Sequence, residues 1–206
     1  GADFQLLETL RLDDGDLPLA HRHRQRLSRS AAHFGFPWPD TDWDATLAAL
    51  RATHPRGLWR VRLLLDRDGR LQSQVFPLEA GPDRARIVWA RTPVRSEDEF
   101  LGHKTTRREV YEAAAREGEE AGAWDVLLYN ERGEATEFTR GNLVVEIGGR
   151  KLTPAAHCGL LPGVLRAELL ARGEIEEAVI RREDLDHADR LWFVNALRGW
   201  VAVTWS

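Results

Sequence analysis

The sequence predicts a mixed α/β (α+β) chain of two domains, a small N-terminal α/β domain over residues 1–83 and a larger, strand-rich, barrel-like domain over 84–206. Strand-like and helix-like periodicities alternate through the first eighty residues, whereas the second half is crowded with short strands at turn-punctuated spacing. Between them Gly81-Pro82-Asp83, within 78–84, is the kind of segment where few contacts cross and domains divide. With 206 residues, 43% of them hydrophobic and 30% charged, the chain can bury a substantial core.

Taken in order, 4–12 alternates as a strand and is closed by Asp13-Asp14-Gly15. After Pro18, Leu19, His23, Leu27, Ala31 and Phe34 form one stripe at near-helical spacing, and Gly35 and Pro37 end the helix. Thr41 is placed to cap a helix over 42–53. Residues 58–65 and 71–76 read as strands joined at Asp68-Gly69. Beyond the boundary come a strand at 86–91, a helix over 104–121 stopped by Gly122, and short strands at 125–129, 134–138, 142–147 and 151–153, the spacing of an antiparallel meander or barrel. Pro162 opens a helix to Arg172, and 191–194 and 200–205 close the chain as strands.

Composition excludes several classes. The net charge of −4 and the interspersed basic and acidic residues argue against a nucleic-acid partner. One cysteine, Cys158, permits no internal disulfide and fits a reducing compartment, and as a lone thiol without a paired His and Asp it reads as a buried packing residue. No apolar run reaches the roughly 20 residues that span a bilayer, and the start lacks a signal-peptide pattern, so a cytoplasmic protein without membrane contact is expected. The chain opens Gly-Ala without a methionine, as a processed or tagged start would. His21 and His23, two apart on a helix, point in different directions, and no metal site is expected. Trp59, Trp89, Trp192 and Trp200 read as core or interface anchors.

Of 29 basic residues only Lys104 and Lys151 are lysines. Arginine keeps its proton and cannot condense with a carbonyl, whereas an amine can do both jobs of a nucleophile and a base. Lys104 lies in Phe-Leu-Gly-His-Lys-Thr-Thr-Arg-Arg-Glu-Val-Tyr (100–111), at an expected loop-to-helix junction. A GC-rich coding bias accounts for scarcity of lysine alone, so Lys104 gains weight only from its company.

That company is four segments in order: His23-Arg24-Gln25-Arg26-Leu27, Gly102-His103-Lys104-Thr105, Glu137-Phe138-Thr139-Arg140-Gly141-Asn142-Leu143, and the run from Gly159 through Pro162-Gly163 to Arg166. Together they resemble the signature of class IV (fold type IV) pyridoxal-phosphate enzymes, over nearly the whole chain. The opening 4–11 and the closing Val194-Asn195-Ala196-Leu197-Arg198-Gly199-Trp200 are most similar to the aminodeoxychorismate lyases of that family.

The resemblance implies pyridoxal 5'-phosphate as cofactor, held covalently by Lys104, which also shuttles the proton at the substrate carbon. It implies that Glu137 pairs with the pyridine nitrogen. Arg26, Val164 and Leu165 at a helix start, and Asn195 with Ala196 are implied for the phosphate side, with Asn142 among the cofactor contacts. Arg107 and Arg198 are candidates for substrate carboxylates. The implied reaction converts 4-amino-4-deoxychorismate to 4-aminobenzoate and pyruvate, in folate synthesis. Amino-acid transamination of the branched-chain or D-amino-acid type is an alternative, and a non-catalytic cofactor-binding protein is another. The retention of both Lys104 and Glu137 speaks against the last. A small amine substrate, a homodimer and an aminodeoxychorismate synthase are the implied partners. Against the family pattern, the chain starts near Phe4 without the usual first strand and the active-site residues it supplies, which leaves room for a shifted specificity.

Overall fold

A computed structural model describes residues 3–206; the opening Gly1-Ala2 pair lies outside the described residues. The chain forms two compact units, one running to Ala80 and including His103–Arg107, the other made of Gly81–Gly102 and Arg108–Ser206.

The first unit contains β1 (Leu6–Asp13), α1 (Ala20–Phe34), α2 (Asp40–Thr53), β2 (Leu58–Leu65) and β3 (Leu71–Pro77). The strands make an antiparallel sheet in the order β1-β2-β3, with Leu10 opposite Val61 and Val61 opposite Val75. Leu6, Leu10 and Leu12, alternate residues of β1, share one core with Leu27 and Ala31 of α1 and Trp43, Leu47 and Leu50 of α2. Gly35 ends α1 in the left-handed region at φ 76°, its N–H reaching the carbonyls of Ala31 and Ala32, a closure that only glycine adopts without strain. Thr41 does not cap α2. That helix begins at Asp40 after Pro39, with Asp40 and Asp42 placing negative charge at its positive end.

The helix expected from Lys104 starts only at Glu109. Residues 104–106 instead run along β1: the Leu7 N–H donates to the Lys104 carbonyl at 3.0 Å, and the Thr106 N–H to the Gln5 carbonyl at 2.9 Å. Leu6 and Thr105 form an antiparallel bridge. Two adjacent β-branched threonines suit this extended pairing better than a helical turn.

The second unit contains β4 (Arg84–Trp89), α3 (Glu109–Ala121), β5 (Asp125–Tyr129), β6 (Ala135–Phe138), β7 (Asn142–Ile147), β8 (Arg150–Pro154), α4 (Val164–Ala171), β9 (Glu176–Ala178), β10 (Arg190–Asn195) and β11 (Gly199–Trp205). Its sheet runs β10-β11-β4-β5-β6-β7-β8-β9, and β10 also pairs with β7. That pairing closes β4, β5, β6, β7, β10 and β11 into a barrel, with β8 and β9 continuing from β7. Ile87, Leu127, Phe138, Leu143, Phe193, Val201 and Val203 fill one core. Tyr111 and Ala114 of α3 pack with Val126 and Leu128 of β5, and Leu169 of α4 with Val144 of β7 and Val194 of β10. Pro162 is not the first helical residue, because α4 begins at Val164 with Gly163 as its cap.

Candidate active site

Within the first unit the expected residues gather around a buried acid. Glu8 is on β1 in phase with Leu6, Leu10 and Leu12, so the strand's alternation carries its carboxylate into an apolar face. Such a charge needs compensation. Arg26 of α1 supplies it as a fork, Nε donating to Oε2 and Nη2 to Oε1, each at 2.8 Å. Three residues earlier on the same helix face, His23 Nδ1 lies 2.6 Å from Glu8 Oε1. Burial alone would raise the Glu8 carboxyl, but the Arg26 charge and the hydrogen bonds of His23 and Arg26 bring it down to about 2. Burial lowers His23 against the opposing pull of Glu8, so the ring is read as neutral, with Nδ1 donating and the buried Nε2 left without a hydrogen-bond partner.

Lys104 belongs to the same neighbourhood. Its carbonyl is held by Leu7, its side chain is half-buried, and its charge is felt at His23. Its neighbour His103 is fixed by Ser30 Oγ at 2.7 Å and stacks on His33, 4.3 Å between ring centroids. Arg107 follows, its guanidinium 5.4 Å from the centre of the Phe4 ring and its N–H donating to Thr105 Oγ1.

In the second unit Glu137 sits on β6, buried, directly across the ladder from Asn142 on β7. Asn142 braces a loop: its Nδ2 donates to the Leu161 carbonyl at 2.9 Å and its Oδ1 accepts from the Gly163 N–H at 3.1 Å. Gly163 is required there for space, since a Cβ would fall 2.2 Å from Asn142 Oδ1, while its φ of −66° is open to any residue. The loop delivers the start of α4, where no side chain caps the first turn and Val164 and Leu165 present backbone N–H groups. Asn142 also pairs in register with Val194, so the end of β10 lies beside the start of β7. There Asn195 Nδ2 donates to the Arg140 carbonyl at 2.9 Å, and its Oδ1 accepts from the Arg198 N–H at 2.8 Å, fixing the turn that carries Ala196. The Arg198 side chain lies against Gly81.

One end of the barrel therefore brings together Glu137, Asn142, the 163–165 helix start and Asn195-Ala196, while β1 and α1 bring together Arg26 and the Lys104 segment. Glu8 and Tyr111 join the site without a sequence motif that names them. Glu8 is signalled by its phase among the leucines of β1; the Tyr111 hydroxyl donates to Glu137 Oε2 at 2.7 Å. Cys158 is buried, its thiol pushed up to about 11 by burial and then by Glu134, as suits a packing residue. Among the described residues no group of three His, Cys, Asp or Glu side chains could hold a metal ion, and no helix is long and apolar enough to cross a membrane.

Comparisons with known proteins agree on one family. The family model described as amino-transferase class IV matches residues 5–205. A Schizosaccharomyces pombe (strain 972 / ATCC 24843) protein named "Putative aminodeoxychorismate lyase" is 32% identical over 205 residues, 95% of this chain and 87% of that one. The crystal structure of a "Putative amino-acid aminotransferase" from Mesorhizobium loti superposes with a TM-score of 0.92 at 38% identity, covering 99% of this chain and 100% of that one. The fold IV-transaminase CpuTA1 from Curtobacterium pusillum superposes with a TM-score of 0.82 at 26% identity over 97% of this chain and 76% of its own. Matched along nearly its full length by sequence and by fold, the chain belongs to the class IV aminotransferase family and has fold type IV.

Proposed function

We propose that the chain is a pyridoxal-phosphate-dependent lyase converting 4-amino-4-deoxychorismate to 4-aminobenzoate and pyruvate, a step of folate synthesis. Membership of the family makes it a pyridoxal-phosphate enzyme, lyase or aminotransferase. The observation that carries the lyase reading is the 32% identity with the Schizosaccharomyces pombe lyase-named protein along 95% of this chain.

The donor set fits the cofactor. A half-buried lysine amine suits an aldehyde, a carboxylate-oriented guanidinium and an uncapped helix start suit a phosphate, and a buried carboxylate suits a protonated ring nitrogen. Pyridoxal phosphate, when bound, withdraws electrons from the substrate carbon that bears the amine. In this reading Lys104 would hold the cofactor at its aldehyde carbon and, once displaced there by the substrate amine, would take the proton from the amine-bearing substrate carbon and later return it as an acid. Glu137 would keep the proton on the ring nitrogen. By the family resemblance, Arg26 would hold the phosphate, and so would the N–H groups of Val164 and Leu165 together with Asn195 and Ala196. Asn142 acts through the loop it braces, by keeping those N–H groups aimed. Arg107 and Arg198 are assigned to the two carboxylates of the substrate. A homodimer, substrate supply by an aminodeoxychorismate synthase and a cytoplasmic location belong to the same reading.

Amino-acid transamination is the second reading, favoured by the 38% identity to the Mesorhizobium loti aminotransferase. Incubation with 4-amino-4-deoxychorismate, beside a panel of amino and keto acids, separates the two. Release of pyruvate and 4-aminobenzoate in equal amounts supports the lyase; amino-group exchange without them supports the transaminase.

A further inference from the structure

We infer that Tyr111 is a positioning residue for Glu137, its phenol fixing the carboxylate that faces the ring nitrogen of the cofactor. The inference rests on the reading of Glu137 given above. Tyr111 lies in the first turn of α3, 26 residues before Glu137, yet its hydroxyl donates to Glu137 Oε2 at 2.7 Å, with the tyrosine 6% and the glutamate 4% exposed. A carboxylate this deep is costly unless its oxygens accept hydrogen bonds, so the phenol O–H stabilises the ionised form and fixes rotation about the last side-chain bond. The phenol is itself a dependable donor, since burial and the neighbouring Glu137 push its ionisation well above the ordinary tyrosine range.

The donor is held in place from two sides. The Arg108 guanidinium lies 4.5 Å from the centre of the Tyr111 ring and donates through Nη2 to the Thr139 carbonyl at 2.8 Å. Thr139 is pinned in turn by Asp125 Oδ1, which accepts from the Thr139 N–H at 3.1 Å and from its Oγ1 at 2.7 Å. The start of α3 thus grips β6 and the turn after it twice, at the Glu137 side chain and at the Thr139 carbonyl. Packing alone would require only a ring at position 111. A hydroxyl aimed at the carboxylate is the additional feature that a positioning role explains.

The test is a cycle of Tyr111→Phe, Glu137→Gln and the double variant. For each, the dissociation constant of pyridoxal phosphate, the pH at which the visible band of the bound cofactor titrates, and the melting temperature of the apoprotein are measured. Phenylalanine keeps the ring and its packing, so the apoprotein is expected to melt close to the parent. Tyr111→Phe is expected to weaken cofactor binding roughly tenfold and to shift the titration of the band. The same change made in the Glu137→Gln background is expected to alter neither. If Tyr111→Phe is silent beside an impaired Glu137→Gln, or has the same effect in both backgrounds, the positioning role is overturned alone. If Glu137→Gln itself matches the parent in affinity and band, the reading of Glu137 on which the inference rests is overturned.

Discussion

Arg26 on α1 and Glu8 on β1 meet in a two-pronged ion pair, both contacts at 2.8 Å, with the Glu8 side chain 1% and the Arg26 side chain 13% exposed. Two other arginines of α1 behave differently: Arg24 pairs with the largely exposed Asp40, and Arg29 faces solvent. A guanidinium oriented by a buried carboxylate is pre-set in plane and direction, which is what bidentate recognition of a phosphate needs.

Glu8 makes stability depend on pH. Its carboxyl is depressed from 4.5 to about 2 in the fold. A depressed acid contributes stability that is fully present above its unfolded value, near pH 4.5, and is lost as the pH falls through the range down to about 2. The shift corresponds to about 3 kcal/mol. Glu8→Gln is therefore expected to be less stable than the parent at pH 6, and the gap is expected to narrow as the pH drops toward 2.5. Denaturant melts across that range check it; a gap constant with pH would contradict the assigned ionisation.

If Arg26 anchors the phosphate as proposed, its loss is expected to weaken cofactor affinity and leave the chemical step largely intact. Arg26→Ala also strands Glu8 as a buried charge, a change that typically costs about 3 kcal/mol or more, so Arg26→Lys is the cleaner variant. It keeps the charge and loses the fork. Its dissociation constant for pyridoxal phosphate is expected to rise roughly 30-fold, with turnover recovering at saturating cofactor, whereas Arg24→Ala and Arg29→Ala remain near the parent. Spectroscopic titration of the apoproteins provides the measurement.

Gly163 and Asn142 are expected to be coupled. A Cβ at position 163 would collide with Asn142 Oδ1, so Gly163→Ala is expected to displace the loop before α4 and weaken cofactor binding roughly tenfold. In an Asn142→Ala background the obstacle is gone, and Gly163→Ala is expected to add little further loss. Equal losses in both backgrounds would contradict the bracing role.

Legibility in the sequence followed the range of the interactions. The α1 stripe of His23, Leu27 and Ala31 was readable because one helix face repeats locally, and so were the strand pair around Asp68-Gly69 and the stop at Gly122. Residues 104–106 are extended where the local pattern predicts helix, because their partner, β1, lies about a hundred residues away and supplies the backbone bonds that hold them so. β9 escaped because Glu176 and Glu177 hide a strand held by parallel pairing to β8. In the candidate site, the residues are named through the family resemblance, but their contacts are not legible in the sequence. Arg26 and Glu8 are 18 apart, Tyr111 and Glu137 are 26 apart, and no local pattern links such pairs.

In the proposed reading Lys104, not Lys151, carries the cofactor. Lys151 lies on β8 with its amine 5.8 Å from the centre of the Trp192 ring, in keeping with a surface cation, while Lys104 lies in the segment paired with β1 near His23. The direct measurement is borohydride reduction of the cofactor-loaded protein followed by peptide mapping, with Lys104→Ala and Lys151→Ala treated in parallel. The expected result is a pyridoxyl label on Lys104 alone, lost with the visible band in Lys104→Ala and unchanged in Lys151→Ala. A label on Lys151, or no label on a protein loaded with pyridoxal phosphate, would overturn the assignment of Lys104.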